Sequence, residues 1–314
     1  MALNSSGSRG GHEVVRLPYD DLVRDVGYAA QLGGDPEEFL HLGCFVLANC
    51  LPVAEVERVH VSLQRLFDAR GEEKERCRVD KKREPLGHGY SPYGVARALD
   101  TGIPNLLETW DLSPTGKAWP SHLRAEWEVL IAYQHALSNI GQNVLRLIST
   151  TLRLPSDTLG ALVEKNSGIH LIHYFKLDTT FPPGSVRQSK HCDNTLVTII
   201  PPYFPEDDGV AIFDNLSNRW LDVRLGKTDC LVQAGLVLEY ISGGTIRANL
   251  HTVTTPALGS PLNRARYSTP FFISPSPGTV VRRLTGIAPD VEGQGAGISI
   301  DTLQADYFRK IFGE

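Results

Sequence analysis

Two stretches of this sequence set metal-binding or anion-binding side chains at the spacing of a β-strand. In Ser189–Ile200, SKHCDNTLVTII, His191 and Asp193 head an apolar run. If that run enters a strand, residues two apart share a face. The imidazole and the carboxylate then point the same way, with Cα atoms about 7 Å apart, and Cys192 points away. Both side chains can reach one ion. H-x-D alone is common where strands end, so a second signal is needed. His251, in RANLHTVTTP, supplies it some sixty residues later. Two histidines and one carboxylate on a β scaffold make the facial set that binds non-haem Fe(II) and leaves coordination positions open. Oxygen chemistry needs those positions for O2 and a co-substrate.

The second stretch is RYS, Arg266 to Ser268. Arg266 and Ser268 also share a strand face. A guanidinium fork grips a carboxylate with two parallel hydrogen bonds, and a neighbouring hydroxyl adds a donor. Read with the metal set, the pair is a receptor for the far carboxylate of a small dicarboxylic acid whose other end chelates the metal.

The elements that must carry these residues are legible in outline. CFVLANC (44–50) suits a buried strand. In the following segment Val53, Val56, Val59, Leu63, Leu66 and Phe67 recur on one helical face. Residues 71–120 are polar with scattered Gly and Pro and read mainly as loop. A long helix is expected over 121–152, capped by Ser121, with Leu123, Trp127, Leu130, Leu137, Ile140, Val144, Ile148 and Leu152 on its buried side. After Gly168 the texture changes to short runs rich in β-branched and aromatic residues, split by turns: IHLIHYF, TLVTII, GVAIF, WLDVRL, CLVQAG and YSTPFFI. Many short strands in sequence suggest a sandwich or barrel, and a double-sheet jelly roll closes such a set. TLQADYFRKIF returns to helix at 302–312. The expected fold class is therefore α+β, mainly β. A jelly-roll core at about 165–280 has an N-terminal helical cover and a C-terminal helix, in one domain spanning 13–314 after a disordered leader, 1–12.

The 314 residues carry a net charge of -5, which gives no basic footprint for nucleic acid and no polybasic membrane anchor. There is no apolar run of about 18 residues to cross a membrane, and no secretory h-region near the N-terminus. Five scattered cysteines form no CxxC pair, so reduced thiols and a cytoplasmic location are expected. A small-molecule substrate is the remaining partner class; the sequence leaves the oligomeric state open.

H-x-D, a distal His and R-x-S, in this order and spacing, resemble the isopenicillin N synthase-like branch of the iron(II)/2-oxoglutarate-dependent dioxygenases. GCFVLANCLPVAEVERVHVSLQRLF is similar to that family's early strand and helix, EEKERC to its charged helix end, and LLETWDL to its KE segment. SGGTIRANLHTV resembles the strand before the second metal His in bacterial deacetoxycephalosporin C synthase. The resemblance covers about residues 35–275. It departs at Thr252, where the family often has Arg, at Phe175, at Cys192 and in the Pro-rich loop 201–215.

The resemblance implies a double-stranded β-helix holding Fe(II) through His191, Asp193 and His251. 2-Oxoglutarate would bind Arg266 and Ser268 with help from Tyr174, and O2 would be the oxidant. The reaction would oxidise an unactivated C–H bond of a small molecule by hydroxylation, desaturation or ring formation, with succinate and CO2 as co-products. Asp193 argues against a halogenating variant. Bacterial relatives of this kind serve specialised-metabolite pathways such as antibiotic biosynthesis. The alternatives are an iron-dependent oxidase that does not use 2-oxoglutarate and a non-catalytic metal-binding jelly roll.

Other residues carry lesser readings. His170 and His173 fall on opposite faces of one strand, so they make a poor ligand pair, but His170 faces the same way as Tyr174. Arg247, four residues before His251, is a candidate for a substrate carboxylate if the strand is unbroken. Tyr90 and Trp110 are candidates for the pocket mouth, and the C-terminal helix for a lid.

Overall fold

The fold follows from two opposed sheets, described in a computed structural model that covers residues 14–27, 36–98, 100–163, 167–202, 209–284, 297–302 and 305. The larger sheet runs through strands β1 (Arg16–Pro18), β2 (Cys44–Ala48), β3 (Gly89–Ser91), β4 (Leu107–Asp111), β5 (Gly168–Tyr174), β7 (Val197–Ile200), β10 (Cys230–Ala234), β12 (Arg266–Ser268) and β13 (Phe271–Ile273). Their order is β1-β2-β10-β7-β13-β5-β4-β3, with β12 also pairing to β5. The smaller sheet is β6-β11-β8-β9, built from Gln188–His191, His251–Val253, Val210–Asp214 and Arg219–Val223. The two sheets form the jelly roll.

Helices cover the outer face of the larger sheet. α3 (Val53–Phe67) buries Val56, Val59, Leu63, Leu66 and Phe67, as its spacing predicts, but Val53 is exposed. α5 (Arg124–Thr151) buries all eight of the positions expected for it, counting Leu123 and Leu152 at its ends. Its core face meets Ile273 and Ile199 at Gly141, where a Cβ would collide with the Ile273 side chain. Ser121 caps nothing: it lies in a 3-10 turn that precedes α5, and no side-chain cap is formed.

The segment 71–120 is mainly loop, as expected, yet it carries regular elements. It contains α4 (Gly71–Arg76), β3 and β4, and the last two extend the large sheet beside β5. The N-terminal part is therefore a contributor of strands as well as a helical cover. β4 hides this in sequence because Glu108, Thr109 and Asp111 interrupt its apolar pattern. The short helices α1 (Tyr19–Arg24), α2 (Pro36–Leu42) and α6 (Leu236–Ile241) are further elements without a strong periodic signal. The leader 1–12 and most of the C-terminal helix lie outside the described residues, and the lid reading lies there with it. Among the described residues no helix is long and apolar enough to cross a membrane. None of the five cysteines forms a disulfide.

Candidate metal centre and its cavity

β6 ends at His191, and Asp193 stands just beyond it rather than on the strand. The turn that follows is pinned by backbone bonds from Leu236 N–H to the Asp193 carbonyl (2.8 Å) and from Val237 N–H to the Thr195 carbonyl (3.1 Å). The turn into α6 passes so close that a Cβ at Gly235 would collide with the Thr195 carbonyl oxygen. His251 opens β11 and is the direct cross-strand partner of His191; their rings are 4.2 Å apart at the centroids. Donor atoms of His191, Asp193 and His251 all lie within 4.8 Å of one another, the only such grouping found among the described residues. The Asp193 Oδ1 atom is 3.5 Å from His191 Nε2 and 3.9 Å from His251 Nε2.

The tautomers follow from the outer contacts. His191 Nδ1 is 2.9 Å from the Ser189 carbonyl and His251 Nδ1 is 3.0 Å from the Asn249 carbonyl. A carbonyl only accepts, so each Nδ1 carries the proton and each Nε2 presents a lone pair towards Asp193. Burial, and then the neighbouring His191, lower the His251 pKa to about 4. Burial alone would raise the Asp193 carboxyl, but His251, His191 and the Thr198 hydroxyl hold it well below the usual range. Two imidazole Nε2 atoms and a carboxylate converge. That donor set suits a divalent transition metal such as Fe(II) and supplies only three protein ligands.

Arg266 and Ser268 lie on β12 opposite Tyr174 and Ile172 of β5. Arg266 is 2% exposed, Ser268 5% and Tyr174 4%. The guanidinium lies 5.6 Å from the Tyr174 ring centroid, and a Cβ at Gly209 would collide with Arg266 Nη1. Absence of a side chain at 209 thus makes the space the fork occupies. Burial drives the Tyr174 pKa up to about 12 against the opposing pull of Arg266, so the phenol remains a neutral hydroxyl at ordinary pH.

These six residues line one cavity of about 430 Å³. Along β5, Tyr174, Ile172 and His170 face into it, and their β4 partners Leu107, Thr109 and Asp111 do the same. His173 faces the other way, as the alternation requires, and bonds Glu108 at 2.8 Å.

Three readings from sequence are corrected. Arg247 does not share a strand face with His251, because residues 247–250 are not strand; its N–H instead bonds the Leu40 carbonyl (3.2 Å). Its side chain is exposed and is not part of the cavity lining. Trp110 is fully buried in the core, and Tyr90 donates to Glu108 Oε2 at 2.6 Å on the far side of the sheet. Neither lies at the cavity mouth. Conversely, Lys81, Asp111, Gln134 and Gln188 line the cavity and sequence reasoning passed over them. Asp111 stood in a motif noticed for its family likeness; no local spacing pointed to the others.

Residues 167–275 match the model of the 2OG-Fe(II) oxygenase superfamily. Among curated proteins, the chain is 26% identical over 159 residues to the 2-oxoglutarate-Fe(II) type oxidoreductase hxnY of Emericella nidulans, covering 50% of this chain and 44% of that one. It is 27% identical over 248 residues to the 2-oxoglutarate-dependent dioxygenase ecdK of Aspergillus rugulosus, covering 68% and 72%. The chain thus spans less than half of the first of these relatives and just over two thirds of the second. Among solved structures, a full-length Neurospora crassa protein crystallised in complex with alpha-KG superposes with a TM-score of 0.79 at 18% identity, covering 94% of this chain and 95% of that one.

Proposed function

From a chain whose residues 167–275 form a 2OG-Fe(II) oxygenase superfamily domain, we propose an Fe(II)- and 2-oxoglutarate-dependent oxygenase that oxidises a C–H bond of a small molecule. The observation that carries the reading is the placement of His191, Asp193 and His251 in the same cavity as Arg266, Ser268 and Tyr174. A metal set alone fits many proteins; a metal set with a buried carboxylate receptor fits a chelating dicarboxylate. The names of the relatives hxnY and ecdK and the alpha-KG in complex with the Neurospora crassa protein support the same co-substrate.

In this reading His191, Asp193 and His251 hold iron on one face, and their backbone-bonded Nδ1 atoms keep both imidazoles in the binding tautomer. Arg266 and Ser268 bind the far carboxylate of 2-oxoglutarate, and the Tyr174 hydroxyl donates beside them. Bound iron supplies the activation of O2 that couples oxidation of 2-oxoglutarate to succinate and CO2 with oxidation of the substrate. The apolar walls, including Leu107, Ile172, Val210 and Val253, exclude water from the reacting groups. Of the possible settings for such a reaction, specialised-metabolite biosynthesis is the one we favour, on the likeness to ecdK and to a Citrus sinensis protein named Kihadalactone A synthase. Each of these relatives is only partly covered by the match.

The test is anaerobic titration of the apoprotein with Fe(II) and 2-oxoglutarate. A visible charge-transfer band is expected in wild type, and Arg266→Ala should need far more 2-oxoglutarate to reach it. Iron binding without a band would favour an oxidase that does not use 2-oxoglutarate. No iron binding would overturn the reading.

A further inference from the structure

The cavity has a second polar end, about 13 Å along β5 from Tyr174 at the strand rise per residue. There Asp111 and His170 are cross-strand partners. Asp111 Oδ1 lies 2.7 Å from His170 Nδ1, and Oδ2 lies 2.6 Å from Lys81 Nζ. Lys81 is 6% exposed and also donates to the Pro85 and Gly87 carbonyls, at 3.2 and 2.8 Å. Two carbonyls hold the ammonium beside Asp111, so its part is to balance that carboxylate. Burial alone would raise the Asp111 carboxyl, but His170 and Lys81 hold it well below the usual range.

Asp111 therefore fixes the His170 ring: Nδ1 carries a proton and Nε2 is the edge left for another group. The ring face packs near Phe272, with centroids 5.8 Å apart. Among the described residues no hydrogen bond reaches Nε2. Gln134, from α5, spends its Oε1 on the Ile169 N–H (3.3 Å), which leaves its amide N–H groups as the part available to a ligand in the cavity it lines. The end of the cavity thus offers the His170 Nε2 edge, a donor once the ring takes up a second proton, and the Gln134 amide N–H groups. Between it and the metal cluster the walls include the apolar side chains of Ile172, Phe272 and Leu112, with the Thr109 hydroxyl among them.

We propose that this end binds the acid group of the substrate, an otherwise apolar small molecule whose carboxylate accepts from His170 Nε2–H and from the Gln134 amide. In the complex the imidazole carries both protons, with the Asp111 carboxylate at one edge and the substrate carboxylate at the other. Lys81 and the imidazolium then balance two anions, which is the condition for burying them. The apolar body lies along Ile172 and Phe272, so the oxidised carbon is remote from the acid group. The binding claim stands on this geometry; what becomes of the bound molecule rests on the oxygenase reading.

The test is calorimetry with three acid–amide pairs: phenylacetate and phenylacetamide, 3-phenylpropanoate and its amide, octanoate and octanamide. Each is titrated into the metal-free full chain and into the chain loaded with Zn(II) and 2-oxoglutarate. At least one acid should bind about ten- to a hundredfold more tightly than its amide, the worth of a charge-assisted hydrogen bond. Asp111→Asn and His170→Phe should abolish that preference, so that acid and amide bind each variant alike. If the Phe variant fails to fold, His170→Gln, which keeps a polar side chain, should still lose most of the preference. Equal binding of acid and amide in every pair, or a preference that survives these substitutions, overturns the proposal. The iron and 2-oxoglutarate titration on the same preparations separates the two readings. A band without acid preference sinks this subsite alone, and acid preference without a band sinks the oxygenase reading alone.

Discussion

Tyr267 stacks on His173, with ring centroids 4.9 Å apart and planes 14° from parallel. Tyr267 is the middle residue of R-x-S, so it faces away from the cavity while Arg266 and Ser268 face in. Its stacking partner is fixed in turn: His173 Nδ1 bonds Glu108, which also receives Lys74 Nζ (3.0 Å) and the Tyr90 hydroxyl (2.6 Å). Glu108 is 3% exposed. One buried carboxylate thereby ties α4, β3 and β5 behind the proposed co-substrate strand.

Removing that carboxylate leaves an ammonium that is 15% exposed without its counter-charge. Glu108→Ala should destabilise the protein by about 3–5 kcal/mol, the usual cost of breaking a buried pair from one side. Glu108→Gln keeps the shape and one acceptor and should cost less. Urea unfolding of the two variants checks the order. A Glu108→Ala protein as stable as wild type would mean that water replaces the carboxylate and that the network does not brace the sheet.

Gly209→Ala separates the anion receptor from the metal set. The new methyl would collide with Arg266 Nη1, which is the far end of a flexible side chain, so the guanidinium should swing aside at small cost in stability. Stoichiometric Fe(II) binding should be retained, and the 2-oxoglutarate concentration for half-saturation should rise about tenfold or more, as expected for a displaced charge-assisted contact. Calorimetric titration of both ligands reads the two effects independently. Parallel loss of both would show that residue 209 shapes the whole cavity rather than the receptor.

His251→Ala and Asp193→Ala each remove one of three donors that the tautomers and charges keep ready for a metal. Stoichiometric Fe(II) binding should be lost in both, as measured by iron analysis after gel filtration. The rest of the fold should persist, because Nδ1 of His251 is bonded only to the backbone carbonyl of Asn249. Retention of one equivalent of iron in either variant would place the metal elsewhere.

How far the sequence discloses the site depends on how local each relation is. Arg266 and Ser268 are a pair at a spacing of two on one strand, and strand alternation alone turns them to one side. His191 and Asp193 share the spacing, but Asp193 stands past the strand end, and the turn pinned by Leu236 and Val237 holds it beside the two histidines. His251 is remote, yet it opens a recognisable strand. Arg247 misleads for the same reason: its relation to His251 assumes a strand that the chain does not form until His251 itself. Lys81, Asp111, Gln134 and His170 come from a loop, β4, α5 and β5, and only the tertiary fold brings them to one end of the cavity. β4 itself is hidden because its charges, the buried Glu108 and the half-buried Asp111, are neutralised by partners supplied from elsewhere. Composition cannot show a neutralised charge, so a buried polar strand reads as loop.

Asp214, at the end of β8, gives a pH dependence that does not involve the metal site. It is fully buried. Burial alone would raise its pKa, but the Ser217 hydroxyl (2.5 Å), the Leu216 N–H (2.9 Å) and His41 Nε2 (3.1 Å) hold the ionised form, and the pKa falls from 3.8 to about 2. A carboxyl whose folded pKa is depressed stabilises the fold at every pH above its unfolded value. That contribution is lost as pH falls from about 4 through about 2, and for a shift of this size it amounts to roughly 2 kcal/mol. Asp214→Asn should therefore be less stable than wild type at pH 7, and the difference should shrink as the pH approaches 2. Other carboxylates titrate in both proteins and cancel in the comparison. Urea unfolding at pH 7, 4 and 2.5 measures it: a constant difference across the three would mean that the Asp214 carboxyl titrates alike in the folded and unfolded chains, and that its hydrogen bonds do not favour the charged form.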